Sequence, residues 1–194
     1  MSIILASASP RRRELLENVG VRDMKIIPAR GEEHTPEGAS AEEAVMAISR
    51  GKALEVAEQC SPGDVIIAAD TVVSVDGDIL GKPRSEDEAR AMLRRLSGRE
   101  HEVYTGVTVI HAGDIRCAAE RTLVRFRAVT GAEIDAYVAT GEPMDKAGAY
   151  GIQEGGALFV REIRGDYNNV VGLPVAKICR LLQRLSGPVG PVLN

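Results

Sequence analysis

Asp70 stands inside VIIAADTVV, a run that is otherwise small, apolar or β-branched. An ionised carboxylate is rarely buried without a partner. Three readings are open for it: an acceptor of backbone hydrogen bonds at a strand end, a general base, or a metal ligand. Two lysines stand in unusual settings. Lys52 falls seven residues after Val45, on the apolar stripe Val45, Ile48, Val56 of a helical pattern, so it either snorkels to an edge or reaches into a cleft. Lys82 sits in Gly81-Lys82-Pro83, a rigid turn whose spacing is not that of a P-loop. The stretch SASPRRREL, residues 7–15, opens a helix with Pro10 in the first position and then Arg11, Arg12 and Arg13. Cations there oppose the helix dipole. Free N–H groups and guanidinium forks together suit an anion, which is the reason such a turn would be kept. Glu32 and Glu33 add acids on a polar loop. Cations that grip phosphates, with carboxylates that hold a hard divalent ion or activate water, describe a polyphosphate site.

Composition narrows the partners. A chain of 194 residues has room for one α/β domain with a full core. The net charge is −4, aromatics are 3% and Trp is absent. Such a surface offers neither the basic face nor the stacking platform of a nucleic-acid binder, so no nucleic acid is expected as partner. Cys60, Cys117 and Cys179 are scattered without metal-ligand spacing, which suggests reduced thiols. Met1–Ala6 is too short an apolar run for a signal peptide or a span, and no later stretch is long enough to span either. No membrane association is expected, and the cytoplasm is the expected location.

The elements that must position these residues are legible from local signals. Ser2–Ala6 reads as a buried strand running into the SASP turn, with Ser9 as N-cap and a helix from Arg11 to about Val19, closed by Gly20. Met24–Ala29 reads as a second strand. Ser40 with Glu43 forms a capping box for a helix to about Glu58. Val65–Val75 reads as a core strand, turned at Asp76-Gly77 into Ile79-Leu80. Ser85 with Glu88 forms a second capping box, for a helix to about Leu96. Two long strands, Glu102–His111 and Ile115–Arg127, meet at Ala112-Gly113-Asp114. Thr130 with Glu133 caps a short helix. Residues 140–156 are Gly-rich, Ala157–Ile163 reads as a strand, and Pro174–Leu185 as a final helix with Val175, Ile178, Leu182 and Leu185 on its inner face. The pattern predicts a mixed sheet with flanking helices in one domain, residues 1–186, shaped as two lobes around a central cleft, with 187–194 as a tail.

Five motifs, in order, resemble those of the Maf family of nucleoside triphosphate pyrophosphatases: LASASPRRRELL, AADTVV, GKPRSEDEARAMLRRLSG, DKAGAYGIQ and NNVVGLP. The resemblance spans Ile3 to about Leu185. It implies an α/β fold of two lobes, a homodimer, and a divalent metal, Mg²⁺ or Mn²⁺. It implies cleavage of a nucleoside triphosphate between the α- and β-phosphates. Asp70 matches the family's proton acceptor, with Lys52 and Lys82 beside it as catalytic cations. Ser7, Arg12, Glu33, Thr71 and Gln153 match substrate-binding positions, and Asp70 and Glu33 match metal-binding ones. Arg12, Thr71 and Gln153 are linked to substrate choice, and DKAGAYGIQ resembles the subgroup acting on dTTP and UTP. The amide of Gln153 suits this, because it offers a donor and an acceptor to a uracil or thymine edge. Two alternatives stand beside this reading: the same reaction on another modified nucleotide, such as a methylated guanine, and a nucleotide-binding regulator of cell division. Replacing Arg12 is expected to cost activity but no stability, since it removes a cation from the positive end of a helix.

Overall fold

The structure, a computed structural model, describes residues 1–186. The expected tail at 187–194 lies outside the described residues, as does the side chain of Leu185. The strands are β1 (Ile3–Leu5), β2 (Lys25–Ile26), β3 (Val65–Val75), β4 (Asp78–Leu80), β5 (Glu100–His111), β6 (Asp114–Phe126) and β7 (Val160–Arg164). The helices are α1 (Pro10–Asn18), α2 (Ala41–Ala57), α3 (Glu86–Leu96), α4 (Gly131–Val138), α5 (Tyr167–Val171) and α6 (Val175–Ser186). One seven-stranded sheet runs β2-β1-β3-β5-β6-β7, with β4 also paired to β3. β1 is parallel to both β2 and β3, and the remaining pairings are antiparallel. This is the expected mixed sheet with flanking helices.

β3 is buried over nearly its whole length, as its β-branched run requires. On one edge it pairs continuously with β5, from Ile66 to Ser74. Its other edge changes partner: β1 covers Val65–Ile67 and β4 covers Val73–Val75. Residues 68–72 have no strand on that side, and Asp70 and Thr71 lie in this gap. The hairpin at Asp76-Gly77, with φ of 54° and 84°, has the doubly left-handed geometry that matches strand twist. Apolar residues fall into three clusters. The first unites β1, α1 and α6, the second α3, α4 and the far half of β3, and the third lies under α2.

The capping signals translate unevenly. Ser40 with Glu43 and Thr130 with Glu133 form complete reciprocal boxes. Ser85 caps α3, but the Glu88 carboxylate accepts from the Arg84 N–H instead of closing the box. Ser9 has extended backbone but no side-chain cap bond, and its own N–H donates to Ser7 Oγ. Residues 155–159 form a 3₁₀ turn instead of the start of a strand, so β7 begins only at Val160. Met24–Ala29 yields just the two-residue β2.

Candidate active site

The gap in the edge of β3 is floored by Arg12. Its side chain leaves the end of α1 and turns inward, where Nη1 donates to Ala69 O at 2.9 Å and Ser7 Oγ at 3.1 Å. Nε donates to Gly172 O at 2.8 Å and Nη2 to Thr71 Oγ1 at 3.1 Å. These are four of the five N–H groups that a guanidinium possesses. The carbonyl of Ala69 lies on the edge abandoned by β1, so Arg12 supplies the donor that a strand would have given. This answers the misplaced cation by a route the sequence did not suggest. The guanidinium is drawn away from the helix end and held by four protein oxygens. Burial pulls its pKa down, against the attraction of Asp70. Thr71 Oγ1 bonds in turn to Thr105 Oγ1 at 2.9 Å, and Thr105 Oγ1 donates to the carbonyl of buried Asn169 in α5 at 2.9 Å. Neither Thr105 nor α5 is signalled by local pattern, because a threonine in a strand and a five-residue helix look ordinary. Arg11 remains at the cleft mouth, 3.5 Å from Asp145, and Arg13 pairs with Glu17 on the surface.

The acids of the site share one cation. Lys52 Nζ stands 2.7 Å from Asp70 Oδ1 and 2.7 Å from Glu33 Oε1. Asp70 and Lys52 are largely buried, whereas the Glu33 side chain is 55% exposed. Burial raises the Glu33 carboxyl, but the hydrogen bond and charge of Lys52, with Lys82 and Arg12 behind it, outweigh this and hold it below its ordinary value. Lys52 thus reaches into the cleft instead of snorkelling. Its reach depends on Gly106, which lies opposite Asp70 in the register of β3 and β5. A Cβ on Gly106 would lie 2.2 Å from the Val45 carbonyl oxygen of α2. Only glycine lets the helix backbone settle this close to the sheet.

Across the gap, Lys82 follows β4 on an exposed turn, and Gln153 projects from the loop after residues 147–149. Among the described residues the Gln153 amide has no protein hydrogen-bond partner. Lys146, from the quoted motif DKAGAYGIQ, is buried beneath this loop and pairs with Asp145 and Glu154 at 2.8 and 3.0 Å. It was not singled out from sequence, although a lysine next to the apolar AGAY stretch was the available signal. Ser7, Arg12, Glu33, Lys52, Asp70, Thr71, Lys82 and Gln153 all line one cavity of about 730 Å³. That size suits a nucleotide. The structure therefore brings together every residue expected to act.

Among the described residues no group of three or more His, Cys, Asp or Glu side chains could enclose a metal. Asp70 and Glu33 offer carboxylates to the same point, the Lys52 ammonium. A pair of carboxylates, completed by substrate phosphates and water, fits the way Mg²⁺ is bound and does not fit a closed structural zinc site.

A family model described as "Maf-like protein" matches residues 2–185. The dTTP/UTP pyrophosphatase of Thermococcus kodakarensis is 51% identical over 179 residues, covering 92% of this chain and 94% of that protein. The dTTP/UTP pyrophosphatase of Bacillus mycoides is 49% identical over 187 residues, covering 96% and 97%. Among solved structures, the Staphylococcus aureus Ham1 protein covers 95% of this chain and 99% of its own, with a TM-score of 0.51 at 14% identity. This last likeness concerns the fold alone. Among the described residues no helix is long and apolar enough to cross a membrane.

Proposed function

The chain belongs to the Maf family, and we propose that it hydrolyses dTTP and UTP to the nucleoside monophosphate and pyrophosphate. The observation that carries this reading is the Asp70–Lys52–Glu33 cluster, set in the wall of a cavity whose far side bears Gln153. The names of relatives near 50% identity support the choice of substrate.

A nucleoside triphosphate brings about four negative charges. Lys52 and Lys82 oppose them from two sides of the cleft, and the backbone N–H groups at the start of α1 add a positive helix end. Asp70 accepts a proton from a water, whose oxygen attacks the α-phosphorus. The bond from that phosphorus to the oxygen bridging the β-phosphate breaks, and pyrophosphate departs with the electron pair. Lys52, 2.7 Å from Oδ1, holds the Asp70 side chain in place until the water arrives. A divalent cation, Mg²⁺ or Mn²⁺, would be held by Asp70 and Glu33. When bound, it would offset phosphate charge and make water more acidic. Arg12 serves the substrate indirectly, by fixing Thr71, Ser7 and the Gly172 carbonyl. Gln153 reads the N–H and carbonyl edge of the pyrimidine. The reading further includes a cytoplasmic location, which the scattered thiols support, and a homodimer, which the family resemblance supports.

A panel of normal and modified nucleoside triphosphates with Mg²⁺ and with Mn²⁺, read by release of pyrophosphate, tests the reading. The expected result is fastest turnover of dTTP and UTP with pyrophosphate as first product. Release of single phosphate from the γ end, or a preference for purine triphosphates, overturns it.

A further inference from the structure

Gln153 sits on a loop that is pinned from beneath by groups that make no hydrogen bond to Asp70, Lys52 or Glu33. Tyr137, at the end of α4, is buried and its hydroxyl accepts from the Gly151 N–H at 3.1 Å. The same hydroxyl donates to Glu142 Oε1 at 2.5 Å. Glu142 in turn accepts from the Gly155 N–H at 3.0 Å through Oε2, and from the Gly156 N–H at 3.4 Å through Oε1. The two ends of the loop therefore converge on one phenol–carboxylate pair. Burial and the Glu142 carboxylate push the Tyr137 phenol well above its ordinary value, so its proton stays in place as the donor.

Packing closes the loop as tightly as the hydrogen bonds do. A Cβ on Gly156 would lie 2.6 Å from the Gly151 carbonyl oxygen and 2.9 Å from the Tyr137 hydroxyl. The first and last residues of the loop thus touch backbone to backbone. Lys146 completes the support. Its ammonium binds the Glu142 carbonyl at 2.8 Å and pairs with Glu154, while its stem lies directly under Gly151. Gln153 stands at the middle of this closed loop. A side chain that must hydrogen-bond a base edge needs its backbone fixed to a fraction of an ångström.

We propose that Tyr137 and Glu142, supported by Lys146, are positioning residues for base selection: they fix the 151–156 loop so that Gln153 meets the pyrimidine edge. This rests on the reading of Gln153 as the base-recognising group. Asp70, Lys52 and Glu33 lie on other elements, so the pair acts on which base is accepted more than on the chemical step.

The test uses kcat/KM for dTTP divided by that for dCTP, whose edge exchanges donor and acceptor. Gln153→Ala is the reference, with Tyr137→Phe, Glu142→Gln and the double variant Gln153→Ala/Glu142→Gln beside it. Tyr137→Phe and Glu142→Gln are each expected to lower the ratio about tenfold, mainly through a higher KM for dTTP. In the double variant the ratio should be no lower than in Gln153→Ala alone, because Glu142 acts through Gln153. Hydrogen exchange at the Gly151, Gly155 and Gly156 amides should quicken in Tyr137→Phe. If Gln153→Ala lowers the ratio but Tyr137→Phe and Glu142→Gln leave it intact, or if the losses simply add in the double variant, the positioning role is overturned and the base reading survives. If Gln153→Ala leaves the ratio unchanged, the base reading falls and this inference falls with it.

Discussion

Asp70 and Glu33 share the Lys52 ammonium, and their unequal burial separates their tasks. The more enclosed Asp70 has Lys52 as its one side-chain partner among the described residues, which suits the base of the proposed reaction, whereas the exposed Glu33 side chain suits the proposed approach of a cation. Asp70→Asn keeps the shape of the side chain and removes its basicity. We expect turnover to fall by about 10²–10⁴-fold with the fold intact, measured by steady-state kinetics beside circular dichroism. Near-normal turnover would refute the assignment. Arg12 tells a different story from the one its position suggested. A cation at a helix N-terminus should be dispensable for stability, yet its partners lie at Ser7, Ala69, Thr71 and Gly172. Arg12→Ala strands those acceptors, each at about 1–3 kcal/mol if water cannot reach it. We expect thermal unfolding several degrees lower together with lost activity, and only partial recovery in Arg12→Lys, whose single ammonium cannot span four acceptors. An unchanged unfolding temperature would return the residue to a purely substrate-facing role. The residue types and their collective site were readable from sequence. The saturation of Arg12 was not, because its partners are fixed by pairings 57, 59 and 160 residues away.

At the scale of elements, the close seating of α2 on β5 sets the distance between Lys52 and Asp70. Gly106→Ala places a methyl against the backbone of Val45 and Met46, which cannot rotate aside. The helix must lift or tilt. We expect a loss of about 1–3 kcal/mol in denaturant unfolding, and a drop in kcat for the fraction that remains folded, because the ammonium retreats from the carboxylate. Full activity per folded molecule would show that the seating does not tune the site. The long elements could be read directly, since β3 announces itself by β-branched residues and α2 and α4 by reciprocal capping boxes. Misreadings occurred where local and tertiary preferences diverge. Ala157–Phe159 is apolar enough for a strand, but Phe159 turns into the aromatic cluster with Phe126 and Tyr137, and the backbone coils into a 3₁₀ turn. Helix α5 is too short to show periodicity. It is capped by Asp166, held by buried Asn169, and closed by Gly172, whose φ of 125° glycine adopts freely. Nothing in the local sequence marks Gly106 as the residue against which a helix must pack.

At the scale of the whole molecule, a buried histidine couples stability to pH. His101 is 2% exposed, bonds through Nε2 to Tyr150 Oη at 2.9 Å, and packs edge-on against Phe126. Its Nδ1 has no partner among the described residues. Burial pushes its pKa down to about 4, only weakly opposed by Glu100. Between an unfolded value near 6.5 and about 4, the unfolded chain binds a proton that the folded chain refuses, so stability falls as pH drops through this window. Moving from pH 7 to pH 5 should cost about 2 kcal/mol in urea unfolding. His101→Gln should flatten that slope. Carboxylates such as Glu133, held to about 2 by Arg127 and its capping bonds, lose their contribution only at lower pH, as it falls from the ordinary value of 4.5 toward about 2. A slope between pH 7 and 5 that survives in His101→Gln would remove the histidine as its source.

The Arg12 bond to the Gly172 carbonyl joins the first helix to a residue 160 positions later. Seen in time, this is an order of events. While the chain is still leaving the ribosome, Asp70 on β3 is already made but Arg12 lacks its last acceptor, and the α5 segment that meets Thr105 does not yet exist. At the usual pace of synthesis, roughly ten to thirty seconds separate the emergence of Arg12 from that of Gly172. The floor of the cleft is finished only when Gly172 and the α5 segment have joined it, so a chain that stops short of them lacks the last acceptor of Arg12 and the carbonyl that holds Thr105.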